Sequence, residues 1–152
     1  MVFVQILEAL ETQEPPQLIT GALERAGEES LQHAGSQPDV DLTVFLGKDS
    51  HLQQLNLQYR GVDAPTDVLS FFSGEVDPET DRLYLGDVII SYPRAAAQAY
   101  GHHPVLDELR LLTVHGVLHL LGYDHGSPEE KEAMWAVQAD ILNSLGSPIS
   151  PP

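Results

Sequence analysis

The chain is 152 residues long, with 42% hydrophobic and 20% charged residues, a balance that suits a folded domain and argues against disorder. It contains no cysteine, which excludes disulfides, thiolate metal sites, iron–sulfur clusters and cysteine nucleophiles; any metal must be held by His, Asp or Glu. Seven Lys and Arg against 23 Asp and Glu give a net charge of −16, a field that repels nucleic-acid backbones and anionic membranes except at a focal site.

The length fits one domain over residues 1–152, with a frayed tail from about Gly146. Val2–Leu7 reads as a strand: no basic segment precedes it, and Gln5 and Glu8 interrupt its apolar run, so it is not a signal peptide. No stretch approaches the roughly 20 apolar residues that cross a bilayer, and the cytoplasm is the expected location. Pro15-Pro16 opens a helix to about Ala26, since proline is tolerated in a first turn. The polar segment Gly27–Pro38 reads as helix end or loop.

Val40–Leu46 is rich in β-formers and predicts a second strand. Asp49 or Ser50 is the expected cap of a helix to Tyr59, with Leu52, Leu55 and Tyr59 on its buried face. Gly61–Pro65 is a loop, Thr66–Phe72 a third strand, Ser73–Asp81 a turn-rich acidic stretch and Leu83–Ile90 a fourth strand. Ser91 caps a short helix to about Tyr100, and Gly101–Pro104 breaks the chain. Val105–Leu121 is a long apolar helix that Gly122 terminates. Ser127-Pro128-Glu129-Glu130 starts a last helix, reaching about Leu145. The order β-α-β-α-β-β-α-α-α predicts an α+β fold: a four-stranded mixed sheet, one strand antiparallel, packed with about five helices.

Three of the seven histidines fall within Leu111–His125. His115 and His119 lie four residues apart, hence ~40° apart around a helix and one turn apart along it. Leucines and valines surround them, so the helix should be buried all round, where an unpartnered polar group costs roughly 1–3 kcal/mol. A shared metal removes that cost. The Gly122 break lets the chain double back and bring His125 to the same ion. Three neutral nitrogens then leave a coordination position for water, the arrangement of hydrolytic zinc sites. Core histidines bonded to the backbone, or a structural metal, for which no fourth ligand stands out although Asp124 is adjacent, are the alternatives. Metallopeptidases of the H-E-x-x-H type carry a general-base Glu after the first histidine. Here Gly116 stands there, which weakens a peptidase reading and lets some neighbour approach closely.

His115-Gly116-Val117-Leu118-His119-Leu120-Leu121-Gly122-Tyr123-Asp124-His125 resembles the signature of the YbeY family, bacterial metal-dependent endoribonucleases of ribosomal RNA maturation. Tyr59–Phe71 resembles the family's Y-R-x-x-D-x-x-T-D-V-L-S-F block, and Leu85–Ser91 its L-G-D strand. The resemblance implies one divalent ion per chain, usually zinc, on His115, His119 and His125, with Arg60 and His115 as catalytic residues. It further implies single-stranded or ribosomal RNA as substrate, 16S 3′-end processing and ribosome quality control as the role, and the small ribosomal subunit and its proteins as partners, with no DNA and no membrane. A guanidinium at Arg60 suits charge building on non-bridging phosphate oxygens. Asp67 and Asp87 are candidates to hold Arg60 or a ligating histidine in place. His102 and His103 read as exposed loop residues; Phe71, Phe72, Tyr84 and Trp135 as core; Tyr123 as the stacking candidate. The rivals are another zinc hydrolase such as a peptidase, and a non-catalytic ribosome-assembly factor with a structural metal.

Overall fold

The computed structural model describes residues 1–7, 10–35, 39–147 and 149. Its elements are β1 (Val2–Ile6), α1 (Pro16–Ala34), β2 (Val40–Gly47), α2 (Asp49–Arg60), β3 (Val68–Val76), β4 (Leu83–Ser91), α3 (Tyr92–Ala99), α4 (Val105–Leu120) and α5 (Pro128–Ser144). The strands form one sheet in the order β1-β2-β4-β3. β1, β2 and β4 run parallel, and β3 is antiparallel to β4. This is the expected α+β fold with its mixed sheet and five helices.

Alternation along the strands divides the core. Leu42, Val44 and Leu46 of β2 and Val88 and Ile90 of β4 face α1 and α4, meeting Ile19, Leu23, Leu109, Leu112 and Val117. On the opposite face Phe45, Leu69 and Ile89 are covered by Leu52 and Leu55 of α2. α5 packs on the other flank of α4, with Met134, Ile141 and Leu142 against Leu111, Val114 and Leu118. α4 is therefore enclosed by the sheet, α1 and α5, which is why it carries apolar residues nearly all round.

Several local expectations are corrected. α1 runs to Ala34, not Ala26, because Gly27 and Ser30 are its buried, close-packing positions. A Cβ on Gly27 would sit 2.8 Å from Val2 Cγ1, and the Ser30 hydroxyl donates to the Ala26 carbonyl at 2.8 Å. The remainder of that polar segment, residues 36–38, lies outside the described residues, as does Glu8. Neither Asp49 nor Ser50 caps α2; the N-cap is Lys48 without a side-chain bond. The Asp49 carboxylate instead accepts from Arg94 Nη2 at 2.9 Å and from the Ser91 hydroxyl at 3.0 Å, and the Arg94 hydrogen bonds hold its carboxyl below the usual carboxylate range. Tyr59 is exposed, and Asn56 takes the buried position, donating to the Ala64 carbonyl at 2.9 Å.

β3 starts at Val68 and continues to Val76, four residues past its expected end. The tail is partly anchored: Ser147 is buried and its hydroxyl donates to Asp107 Oδ1 at 2.6 Å, while residues 148 and 150–152 lie outside the described residues. Among the described residues no helix is long and apolar enough to cross a membrane.

Gly116 is where α4 meets the sheet. A Cβ there would fall 2.5 Å from Val88 Cγ1 and 3.2 Å from Ser70 Oγ. The Ser70 hydroxyl donates to the Gly116 carbonyl at 3.0 Å, tying β3 to the middle of α4. The neighbour that the missing side chain admits is strand β4, not a ligand.

Candidate metal centre

His115 and His119 project from one face of α4 and are half-buried. After Leu120 the helix unwinds: Gly122 adopts φ 100°, and the Tyr123 amide donates to the Leu118 carbonyl at 3.0 Å. That left-handed residue turns the chain back and brings the exposed His125 to the other two. One ligand nitrogen from each of the three lies within 4.8 Å of the others. His115 Nε2 and His119 Nε2 are 3.1 Å apart. Two nitrogens ligating one tetrahedral zinc ion sit about 3.3–3.4 Å apart, so the pair is close to ligand spacing. The Asp124 carboxylate accepts from the His125 amide at 2.7 Å, and the described residues add no fourth member to the cluster.

The donor set fits a divalent ion that prefers imidazole. Burial is the main force lowering the pKa of His115 and His119, and neighbouring imidazoles push the same way. Both rings are therefore neutral at neutral pH, the ligand form. His115 Nδ1–H donates to Gln138 Oε1 at 3.0 Å, which fixes the tautomer that leaves Nε2 free for metal. Gln138 is fully buried on α5, and its Nε2 lacks a partner among the described residues. Sequence reasoning missed it; the available signal was a lone amide on the apolar face formed by Met134, Ile141 and Leu142. Gln138→Ala is expected to weaken zinc binding about 10–100-fold with the three histidines intact, read by competition with a chromophoric chelator.

Trp135 stands beside the triad, its ring centroid 5.7 Å from that of His115 and 5.5 Å from that of His125. It lies at the site rather than wholly in the core, while Tyr123 is half-buried against the α4–α5 cluster. α5 enters this position through a cap: Ser127 Oγ accepts from the Glu130 amide at 3.2 Å. Ser127→Ala is expected to cost about 1 kcal/mol, measured by denaturant unfolding.

A cleft of about 560 Å³ opens beside His115. Trp135, Gln138, Leu111 and Leu112 line it, with Asp67 and Gln98 opposite. His103 also lines it, contrary to its reading as an exposed loop residue: it is half-buried and its Nε2 lies 2.6 Å from Oε1 of the buried Glu108. His102 lines the cleft as well and is exposed as expected.

The other candidates are placed differently from expectation. Arg60 is exposed at the end of α2, does not line the cleft and takes no part in the ion pairs of Arg82, Arg94 and Arg110. Asp67 is beside His115 in the cleft, but its side-chain contact is Gln98 Nε2 at 3.4 Å, not Arg60 or a histidine. Asp87 alternates with Val88 and so faces away from α4, where it accepts from the Tyr84 hydroxyl at 2.5 Å. Burial, then this bond, pushes the Tyr84 phenol up to about 12. Asp87 thus cannot orient the triad. Phe72, expected in the core, is exposed.

Comparison with known proteins gives the family and the fold. A family model described as Endoribonuclease YbeY matches residues 7–146. The Endoribonuclease YbeY of Pelotomaculum thermopropionicum is 45% identical over 132 residues, covering 84% of this chain and 86% of the relative. That of Roseiflexus sp. (strain RS-1) is 47% identical over 133 residues, covering 82% of each. The solution structure of TM1509 from Thermotoga maritima superposes with a TM-score of 0.57 at 25% identity, covering 97% of this chain and 93% of the other. The chain belongs to the endoribonuclease YbeY family.

Proposed function

We propose that the chain is a metal-dependent endoribonuclease that cuts single-stranded RNA, acting in 16S rRNA 3′-end maturation and ribosome quality control in the cytoplasm. The observation that carries the reading is the convergence of three imidazole nitrogens within 4.8 Å of one another beside an open cleft, in a chain of this family. A zinc ion held there supplies Lewis-acid polarisation of a phosphoryl oxygen. The chain's own part is geometric. His115 is locked by Gln138, His119 by its place one turn further along a buried helix, and His125 by the glycine turn. Arg60, exposed at the end of α2, is assigned to the growing charge on the scissile phosphate.

Two observations weigh against the rivals. The space after His115 that a peptidase's general base requires is filled by Val88. His125 is exposed, which leaves the ion reachable, whereas a purely structural site closes with four protein ligands. The charge of −16 makes bulk RNA a poor ligand, so the small ribosomal subunit and its proteins present the strand.

The test uses a single-stranded fragment spanning the 16S 3′ precursor, with its DNA counterpart as control. Arg60→Ala is expected to lower cleavage about 10²–10³-fold at unchanged zinc content, and the DNA to remain intact. Undiminished cleavage by both Arg60→Ala and His115→Ala would remove the site from the reaction.

A further inference from the structure

The cleft beside His115 has features that metal binding does not use. Its floor is apolar, from Leu111 and Leu112, and Trp135 forms one wall. Its polar lining includes the imidazoles of His102 and His115 and two carboxylates with their partners: Asp67, touched by Gln98 at 3.4 Å, and buried Glu108, paired with His103 at 2.6 Å. The fully buried Gln138 lines it with an unpartnered amide nitrogen. A volume of about 560 Å³ is that of a small-molecule site.

The carboxylate of Asp67, which no cationic side chain pairs among the described residues, makes this cleft an unfavourable seat for a phosphate. The same group accepts hydrogen bonds well, and the apolar floor with the indole wall suits a flat ring. Unstacked bases of single-stranded RNA are held in this way, against aromatic or apolar walls and read along their Watson–Crick edge. Guanine is the base that presents a ring N–H and an amino group side by side, which one carboxylate accepts as a parallel pair. We infer that the cleft is a nucleobase pocket for the nucleotide next to the scissile phosphate, and that Asp67 selects guanine there. This rests on the ribonuclease reading for its substrate. Glu108 holds His103 in the wall of the same pocket, its Oε1 2.6 Å from His103 Nε2.

Trp135 is the only tryptophan in the chain, so its fluorescence reports on this pocket and the adjoining triad, which is kept zinc-loaded throughout. The zinc-loaded full chain is titrated with guanosine 5′-monophosphate, inosine 5′-monophosphate, uridine 5′-monophosphate and inorganic phosphate. Inosine differs from guanosine only in lacking the amino group. A hydrogen bond to a charged acceptor predicts at least about tenfold tighter binding of the guanosine nucleotide than of the inosine nucleotide. Asp67→Asn, matched in shape, is expected to erase that difference while zinc content and melting temperature stay unchanged. Should the variant unfold, mapping of cleavage sites by the wild type in a random-sequence single strand decides instead, with cuts expected beside guanines.

Equal affinities across the nucleotides, or cuts without base preference, overturn the pocket while leaving the nuclease reading intact. Guanosine preference without any RNA cleavage does the reverse.

Discussion

His119→Ala is expected to leave the chain folded but without its bound metal, and to lower RNA cleavage about 10²–10⁴-fold. The range follows from the several kcal/mol of transition-state charge stabilisation that a bound cation contributes. The fold survives because α4 is held by Leu118 and Leu120, which neighbour His119 but face the core. The site is expected not to survive, since His119 Nε2 sits 3.1 Å from His115 Nε2 and is one of the three imidazoles that, among the described residues, could hold the ion. Metal content separates these outcomes. The wild type should also gain about 4 kcal/mol of stability at free zinc 1,000-fold above its dissociation constant, and His119→Ala almost none. A variant with stoichiometric zinc and the wild-type rate would mean that the imidazoles are not the ligands.

Gly116→Ala is the second large expectation, and two effects oppose each other. Alanine is favoured over glycine in a helix interior by about 1 kcal/mol. Its methyl, however, would lie 2.5 Å from Val88 Cγ1, on a fully buried side chain whose β-branching restricts its rotation. Overpacking of this kind costs about 1–3 kcal/mol, so the net effect is destabilising, and Gly116→Val is worse. At about 2–4 °C per kcal/mol for a chain of this size, melting temperature falls by several degrees. Pushing α4 off the sheet also moves His115 and His119 together, so zinc affinity falls with it. Val88→Ala in the same chain should recover part of the loss, because the two positions touch. A higher melting temperature for Gly116→Ala would show that α4 is not pressed against β4 as described.

The sequence carried its clearest information where periodicity and punctuation agreed. An apolar run with histidines four apart, closed by Gly122, announced both the enclosed helix and the imidazole cluster. The mixed strand directions, though not the order β1-β2-β4-β3, followed from two βα units and one ββ link. What was not legible depended on partners distant in sequence. Gly27 and Ser30 look like loop formers until β1 is seen pressed against them. Asp49 looks like a cap, but Arg94, 45 residues away, claims its carboxylate. His103 is the loop residue expected but looks exposed, because nothing local shows that its partner Glu108 will be buried.

Two errors have the same origin at the site itself. Asp87 sits in a recognisable motif, yet strand alternation turns it to the face opposite α4, a parity that the motif alone does not reveal. Gln138 supplies the bond that orients His115 from 23 residues further along, with no motif to mark it. Gly116 is the instructive intermediate: its need for close approach was readable, but the identity of the approaching atom was not.

The most direct measurement is diffraction from crystals of the full chain at wavelengths on either side of the zinc, nickel and copper edges. One anomalous peak per chain is expected, within about 2.0–2.1 Å of a nitrogen on each of His115, His119 and His125, with Gln138 still bonded to His115 Nδ1. Crystals grown from zinc-supplemented protein with no peak between those rings, or with a peak ligated elsewhere, would contradict the account.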